Sequence, residues 1–354
     1  MSSKNRLWSW IIIISLTLIW GSTFIILKKA LTVYSPEQVF AGRMMVAALA
    51  LAYWSVPALK RIERRYWLPL VGFALISNFI VTLLYATAQT RIESAVNGML
   101  NTLTPLMTLL VGVIVYNQKM RIPQGVGLLV GLVGTLFLVF NTQSNIESAI
   151  NGILNTLPSL ILLLAGVVFY KRNTRIFQVF GTLLGLAGFI ILIIQTRAGT
   201  LGIINWFASL TVLATFCNGL TANMFKFNLA GLPAVSIVAV SFLIVFPIAI
   251  FEAFRTDMFV QMANHDPGFT ATGYLILLGL LGNALGLFLI GKLIQLSSPV
   301  FASMTTYLVP LLALLWGFLD GEQIGLYQIG AMGLILISVF IVDRFDKPSQ
   351  PETA

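Results

Sequence analysis

One stretch of this chain is written twice in tandem and a third time, more faintly, near the far end. IESAVNGMLNTLTPLMTLLVG from Ile92 returns as IESAINGILNTLPSLILLLAG from Ile146. Residues 92 to 142 align with residues 146 to 196 without a gap, 26 of 51 positions being identical. The identities include Glu93/Glu147, Asn97/Asn151, Asn101/Asn155, Tyr116/Tyr170, Arg121/Arg175 and Gln124/Gln178, which shared hydrophobicity does not explain. This is a tandem duplication. At a shift of 205, Leu103, Pro105, Leu106, Leu109, Leu110 and Gly112 fall on Leu308, Pro310, Leu311, Leu314, Leu315 and Gly317, and Asn78 falls on Asn283. That second relation is a repeat of one half of the chain in the other.

The repeats are built of membrane-spanning helices. The chain is 58% apolar and 9% charged with a mean hydropathy of +0.93, against about 25% charged residues in soluble globular proteins. A helix needs about 20 apolar residues to cross a bilayer, and that length recurs twelve times. The expected spans are 7–28, 36–58, 67–88, 93–116, 123–141, 147–170, 177–195, 203–226, 233–254, 271–290, 298–319 and 325–342, numbered here 1 to 12. Runs of this length predict helices rather than barrel strands. The first run follows Lys4 and Arg6 but lacks a small-x-small cleavage pattern, so it reads as a retained span.

The net charge of +9 comes from short basic clusters between apolar runs, a pattern of membrane topology rather than nucleic-acid binding. With the N-terminus in the cytoplasm, 15 of the 21 Lys and Arg residues lie inside, 5 outside and Arg43 within span 2. The positive-inside rule selects this orientation, with both termini cytoplasmic. The partners to expect are a small-molecule substrate and the lipid bilayer. One cysteine, Cys217, and one histidine, His265, in a polar 255–270 loop, predict no metal site, no cofactor and no hydrolytic centre.

Removing one duplicate leaves ten spans in two halves of five. Because five is odd, equivalent helices must cross in opposite senses, the inverted-repeat plan of secondary transporters, whose site lies between the halves. Spans 1 and 8 match in the same way, Gly21, Thr23 and Lys28 falling on Gly219, Thr221 and Lys226. The expected organisation is a first repeat over 1–142, a duplicated hairpin over 143–200, a second repeat over 201–345 and a polar tail over 346–354.

LIWGSTFIILKKAL in span 1, SPEQVFAGR opening span 2 and SSPVFASMTTYLVPLLALLWGFLDGE through span 11 resemble the EamA-type members of the drug/metabolite transporter superfamily. The resemblance covers nearly the whole chain. It implies a bacterial inner-membrane transporter of small metabolites, with spans 1 to 4 of each half around a central cavity and the fifth peripheral. Twelve spans rather than ten, and Gln118 in VYNQK where an acidic residue usually follows, depart from the family pattern. A nucleotide-sugar carrier and a non-transporting scaffold are the alternatives.

Candidate substrate-binding residues are the polar ones that the apolar spans must accommodate. Arg43 either reaches outward to water or to Glu37, or is a cavity cation facing a substrate carboxylate or phosphate. Asn78 and Asn283 are symmetry mates near mid-span, either helix-to-helix bridges or cavity lining. Trp20, Ser22 and Thr23 match Asn218 and Thr221 across the halves. Asn97 and Asn101, four apart, share a helix face beside Tyr85, and Thr306 lies in the span 11 motif. Pro105 and Pro310 are expected to kink spans 4 and 11 and free carbonyls there. Gly127, Gly131 and Gly134, with Gly181, Gly185 and Gly188, have helix-packing spacing. No Asp or Glu lies mid-span, which predicts facilitated or weakly coupled transport. The first duplicate keeps the proline register of span 11 and is expected in the core; in the second, Pro158 falls one place early.

Overall fold

The structure, a computed structural model, describes residues 3–92, 97–98, 100–118, 125–128, 130–131, 133, 200–265, 269–319, 330, 333–337 and 340–341. The hairpin at 143–199, with Glu147, Asn151, Asn155 and Pro158, lies outside the described residues, as does Glu93.

All regular structure among the described residues is helical. Among the described residues, five helices are long and apolar enough to cross a membrane: Leu7–Ala30, Pro36–Leu59, Arg64–Ala88, Ala234–Arg255 and Thr270–Leu296. They correspond to spans 1, 2, 3, 9 and 10. Span 8 is the helix Thr200–Phe227, and spans 4 and 11 contain the shorter apolar helices Asn101–Ile114 and Pro299–Leu312. Leu49, Tyr53, Leu68, Phe251 and Phe254 lie exposed on these helices. Such apolar surface is tolerable only against lipid.

The start of span 2 shows how local sequence fixes an element. Ser35 accepts from the Gln38 backbone N–H at 3.3 Å, and the Gln38 side chain accepts from the Ser35 N–H at 2.9 Å. This reciprocal cap with Pro36 in the first turn stabilises the helix start by about 1 kcal/mol. Gln38 Nε2 also donates to the Thr256 carbonyl at 2.7 Å, just beyond the far end of span 9, while Ser55 Oγ donates to the Ala239 carbonyl near its start at 3.0 Å. Spans 2 and 9 are therefore antiparallel and tied at both ends, as equivalent members of two inverted halves should be.

Two further contacts repeat the symmetry. A Cβ on Gly21 would lie 2.6 Å from Leu312 Cδ2 of span 11, and one on Gly219 would lie 2.7 Å from the Met107 carbonyl carbon of span 4. Gly219 is Gly21 shifted by 198, and Leu312 is Met107 shifted by 205. Span 1 thus packs on span 11 as span 8 packs on span 4, and the span 4 in question belongs to the first duplicate. Span 5 of that duplicate is held too, since Tyr307 Oη donates to the Leu128 carbonyl at 2.9 Å.

Several elements differ from the sequence expectation. Span 10 runs to Leu296 rather than 290: Lys292, read as a boundary, lies exposed on a helix that continues. The Lys226 ammonium donates to the Ile294 and Ser297 carbonyls at 3.0 and 2.8 Å, where a cation complements the helix dipole. The 255–270 segment contains a helix, Met258–His265. Spans 3 and 10 each pass through a π-helical stretch, Leu75–Ile80 and Leu278–Leu285. Span 4 tightens to a 3₁₀ turn at Asn101–Leu103, and the Thr104 N–H takes up the Asn101 carbonyl. That is the carbonyl Pro105 leaves without its usual i+4 donor, so it is not free for a ligand. Span 11 breaks at Met304, between Pro299–Ser303 and Thr305–Leu319, ahead of Pro310.

Candidate functional site

A cavity of about 190 Å³ lies between the halves, lined from spans 1, 2, 3, 4, 8, 10 and 11. On that measure one water needs about 10–15 Å³, so the space suits a small organic molecule. Ten of the twelve candidate residues line it: Trp20, Thr23, Arg43, Asn78, Tyr85, Asn101, Asn218, Thr221, Asn283 and Thr306.

Three hydrogen-bonded sets hold its arginine, tyrosine and asparagines. Arg43, only 8% exposed, donates from Nε to Asn283 Oδ1 at 2.8 Å. Asn78 donates from Nδ2 to Ser241 Oγ at 3.0 Å, and Ser241 donates to the Val238 carbonyl at 2.8 Å. Ser241 is Arg43 shifted by 198, the shift that carries span 1 onto span 8. The two contacts are therefore one contact in two copies, with a cation in the first half and a hydroxyl in the second. Both asparagines sit in the π stretches, a distortion that recurs at functional sites in membrane and soluble helices alike. In the third set, Tyr85 Oη donates to Asn101 Oδ1 at 2.6 Å and accepts from Asn218 Nδ2 at 3.2 Å, while Thr104 Oγ1 also donates to Asn101 at 3.0 Å. Trp20 Nε1 donates to the Gly282 carbonyl at 3.3 Å, holding span 1 to the span 10 distortion. Phe24, Phe73, Phe225 and Ile290 supply apolar wall between these sets.

Arg43 makes no ion pair among the described residues; Glu37, its possible partner in sequence, accepts from Ser35 Oγ at 2.8 Å. The cavity side of the two alternatives is thus where Arg43 lies. Two candidates do not line the cavity. Ser22 sits about 100° around the helix from Thr23, and its hydroxyl returns to the Leu18 carbonyl at 3.0 Å. Asn97 is buried behind the lining, donating to Gln89 Oε1 at 3.1 Å and accepting from Thr211 Oγ1 at 2.7 Å. Residues i and i+4 lie about 40° apart on a helix, enough to set Asn101 in the wall and Asn97 behind it.

Sequence reasoning missed Ser77, Thr82, Thr104 and Ser303, all in the lining, and Ser241. Applying the span 1 to span 8 shift to Arg43 would have found Ser241. It also missed the span 4 to span 8 bridge, in which Asn223 donates to the Thr108 carbonyl at 2.9 Å and accepts from Gln118 Nε2 at 2.6 Å. Gln118, the departure from the family pattern, is thereby part of helix packing.

Residues 7–140 and 205–343 each match the model of the EamA-like transporter family. The chain belongs to the EamA-like transporter family. The stretch between the two matches, 141–204, contains the second duplicate. An uncharacterized transporter of Haemophilus influenzae is 31% identical over 138 residues, 37% of this chain and 44% of the relative. The chain thus spans less than half the length of that relative. A solved crystal structure of a protein 12% identical in sequence superposes with a TM-score of 0.58 over 96% of this chain and 97% of the other, showing a shared fold. The chain is accordingly an EamA-like multi-pass membrane protein, all-helical among the described residues.

Proposed function

We propose that this EamA-like protein is a secondary transporter that exports small metabolites, amino acids or related amphiphiles among them, across the bacterial inner membrane by alternating access. Both termini lie in the cytoplasm, as the distribution of Lys and Arg favours. The observation that carries the reading is the matched pair Asn283···Arg43 and Asn78···Ser241, both asparagines of which line one cavity. Each asparagine bridges one half to the other, span 10 to span 2 and span 3 to span 9. A substrate amide, hydroxyl or carboxylate that competes for those bridges alters the free energy of one arrangement of the halves relative to the other, which is what a carrier needs.

The interrupted helices supply the give. Packed cores switch between arrangements rather than deforming continuously, and spans 3, 4, 10 and 11 each depart from regular α geometry beside the cavity. No carboxylate lines the cavity among the described residues, so the cycle proposed has no obligatory proton-binding acid. The inverted repeats proposed are 1–142 and 201–345, with the duplicated hairpin 143–200 between them in sequence. Cells overexpressing the protein, challenged with a panel of toxic amino acids and metabolite analogues, should gain selective resistance. Loss of that resistance in Asn78→Ala and Asn283→Ala at unchanged membrane abundance supports the reading; no resistance to any compound opposes it.

A further inference from the structure

The cavity's charge is lopsided. Among the described residues its lining holds one cation, Arg43, and no acid. Nε is committed to Asn283, and the remaining guanidinium N–H groups have no hydrogen-bond partner among the described residues. Nη2 lies 3.7 Å from where a Cβ on the lining residue Gly282 would stand, a position that Thr23 Oγ1 approaches to 3.4 Å. The symmetry mate of Arg43 is the neutral Ser241, so the charge belongs to one of the two matched contacts only. A desolvated guanidinium fork with free N–H groups is the preferred receptor for a planar carboxylate, which it can bind with two parallel hydrogen bonds. Beside the polar groups already described, the wall has an aromatic and aliphatic part formed by Trp20, Phe24, Phe73, Phe225, Leu287 and Ile290.

We infer that the cavity selects organic monoanions with an apolar or aromatic body, the carboxylate held by Arg43, and that the inside-negative membrane potential drives their export. The inference rests on the transporter reading above and narrows its substrate class. A zwitterion brings a second positive charge about 6 Å from the guanidinium. At an effective dielectric constant of about 20, that repulsion amounts to roughly 100-fold in affinity. Hydrogen bonds from the ammonium to Asn and Thr oxygens recover part of this, leaving an expected discrimination of about 10-fold or more. With Arg43 fixed to the protein, each cycle carries one net negative charge outward. The potential favours that movement by about 50-fold in the equilibrium concentration ratio per 100 mV, which removes the need for an embedded proton-coupling acid.

The test uses three probes that share one phenylethyl body: 3-phenylpropionate, phenylalanine and phenethylamine. Their binding to the purified full chain is measured by titration calorimetry. The anion should bind about 10-fold or more tightly than the zwitterion, and the cation should bind least. Arg43→Gln should level the order, whereas Arg43→Lys should keep it at weaker affinity, with thermal unfolding confirming that each variant is folded. In proteoliposomes carrying a valinomycin-imposed potassium potential, efflux of the permanently ionised 2-phenylethanesulfonate should accelerate when the interior is negative. Phenylalanine binding as tightly as 3-phenylpropionate overturns the inference whatever the variants do. So does an unchanged order in Arg43→Gln, efflux indifferent to potential, or no binding of any probe. Phenylalanine transport that depends on Asn78 and Asn283 would overturn the anion preference while leaving the transporter reading intact.

Discussion

The two halves use glycine at the same place for unequal purposes, and a matched pair of substitutions separates them. At Gly219, a Cβ would stand 2.7 Å from the Met107 carbonyl carbon, 2.8 Å from the Thr108 nitrogen and 2.9 Å from the Met107 oxygen. All three are backbone atoms, so Gly219→Ala must push span 8 from span 4. Overpacking of this kind costs about 1–3 kcal/mol. Separation also stretches the bond from Asn223 Nδ2 to the Thr108 carbonyl, now 2.9 Å, for about 1 kcal/mol more. Alanine returns up to about 1 kcal/mol through its better helix propensity, leaving a net loss of about 1–3 kcal/mol. Gly21→Ala meets Leu312 Cδ2 at 2.6 Å, with Leu312 Cβ at 3.3 Å. A terminal methyl can turn away, and the propensity gain brings the balance close to zero. Reversible unfolding of both variants in mixed detergent–denaturant titrations reads the difference. Equal destabilisation, or a Gly21→Ala cost above that of Gly219→Ala, would refute the claim that backbone contact holds span 8 to the first duplicate.

Three other outcomes are expected. Asn78→Ala and Asn283→Ala should each lower transport in vesicles by more than they lower folded yield, because both side chains bridge the halves beside the cavity; equal loss of yield and transport would leave them as structural bridges only. Excising residues 146–199 should leave a folded, active ten-span protein, whereas excising 92–145 should reduce folding or transport, read by detergent size-exclusion profile and flux. Single cysteines at 60–65 and at 117–121, in a Cys217→Ala background, should react with a membrane-impermeant thiol reagent only from the cytoplasmic face, and reaction from the other face would reverse the orientation.

How much the sequence revealed depended on the length scale of each feature. Helix identity and the limits of spans 1, 2, 3, 8 and 9 were readable to within a few residues because hydrocarbon thickness imposes a ruler on composition, and span 2 was sharpened by the Ser35–Pro36 start. Span 10 was misjudged at its end because an exposed lysine on a continuing helix looks the same in sequence as one beyond it. The pairing of Asn78 with Asn283 was legible through the 205-residue shift alone. What each asparagine touches was not, since Arg43 and Ser241 come from spans matched by a different shift. The π stretches had no signature: i to i+5 bonding depends on how neighbouring helices press on the backbone, and LISNFI and LGLLGNAL contain nothing that demands it. Ser22 and Asn97 were misplaced for a smaller reason, a rotation of one residue step or the roughly 40° between i and i+4, which polarity alone does not report.

Ser77 offers the most direct test of a cavity that opens in turn to each side. It lines the cavity in span 3 and corresponds to Gly282 across the halves, and Ser77→Cys changes little more than one atom. In the Cys217→Ala background, Cys at this position should be modified by an impermeant thiol reagent added to right-side-out vesicles and, separately, to inside-out vesicles. A carrier that alternates predicts modification from both sides. Modification from one side only, or from neither, would contradict alternating access and leave a closed pocket in a membrane scaffold.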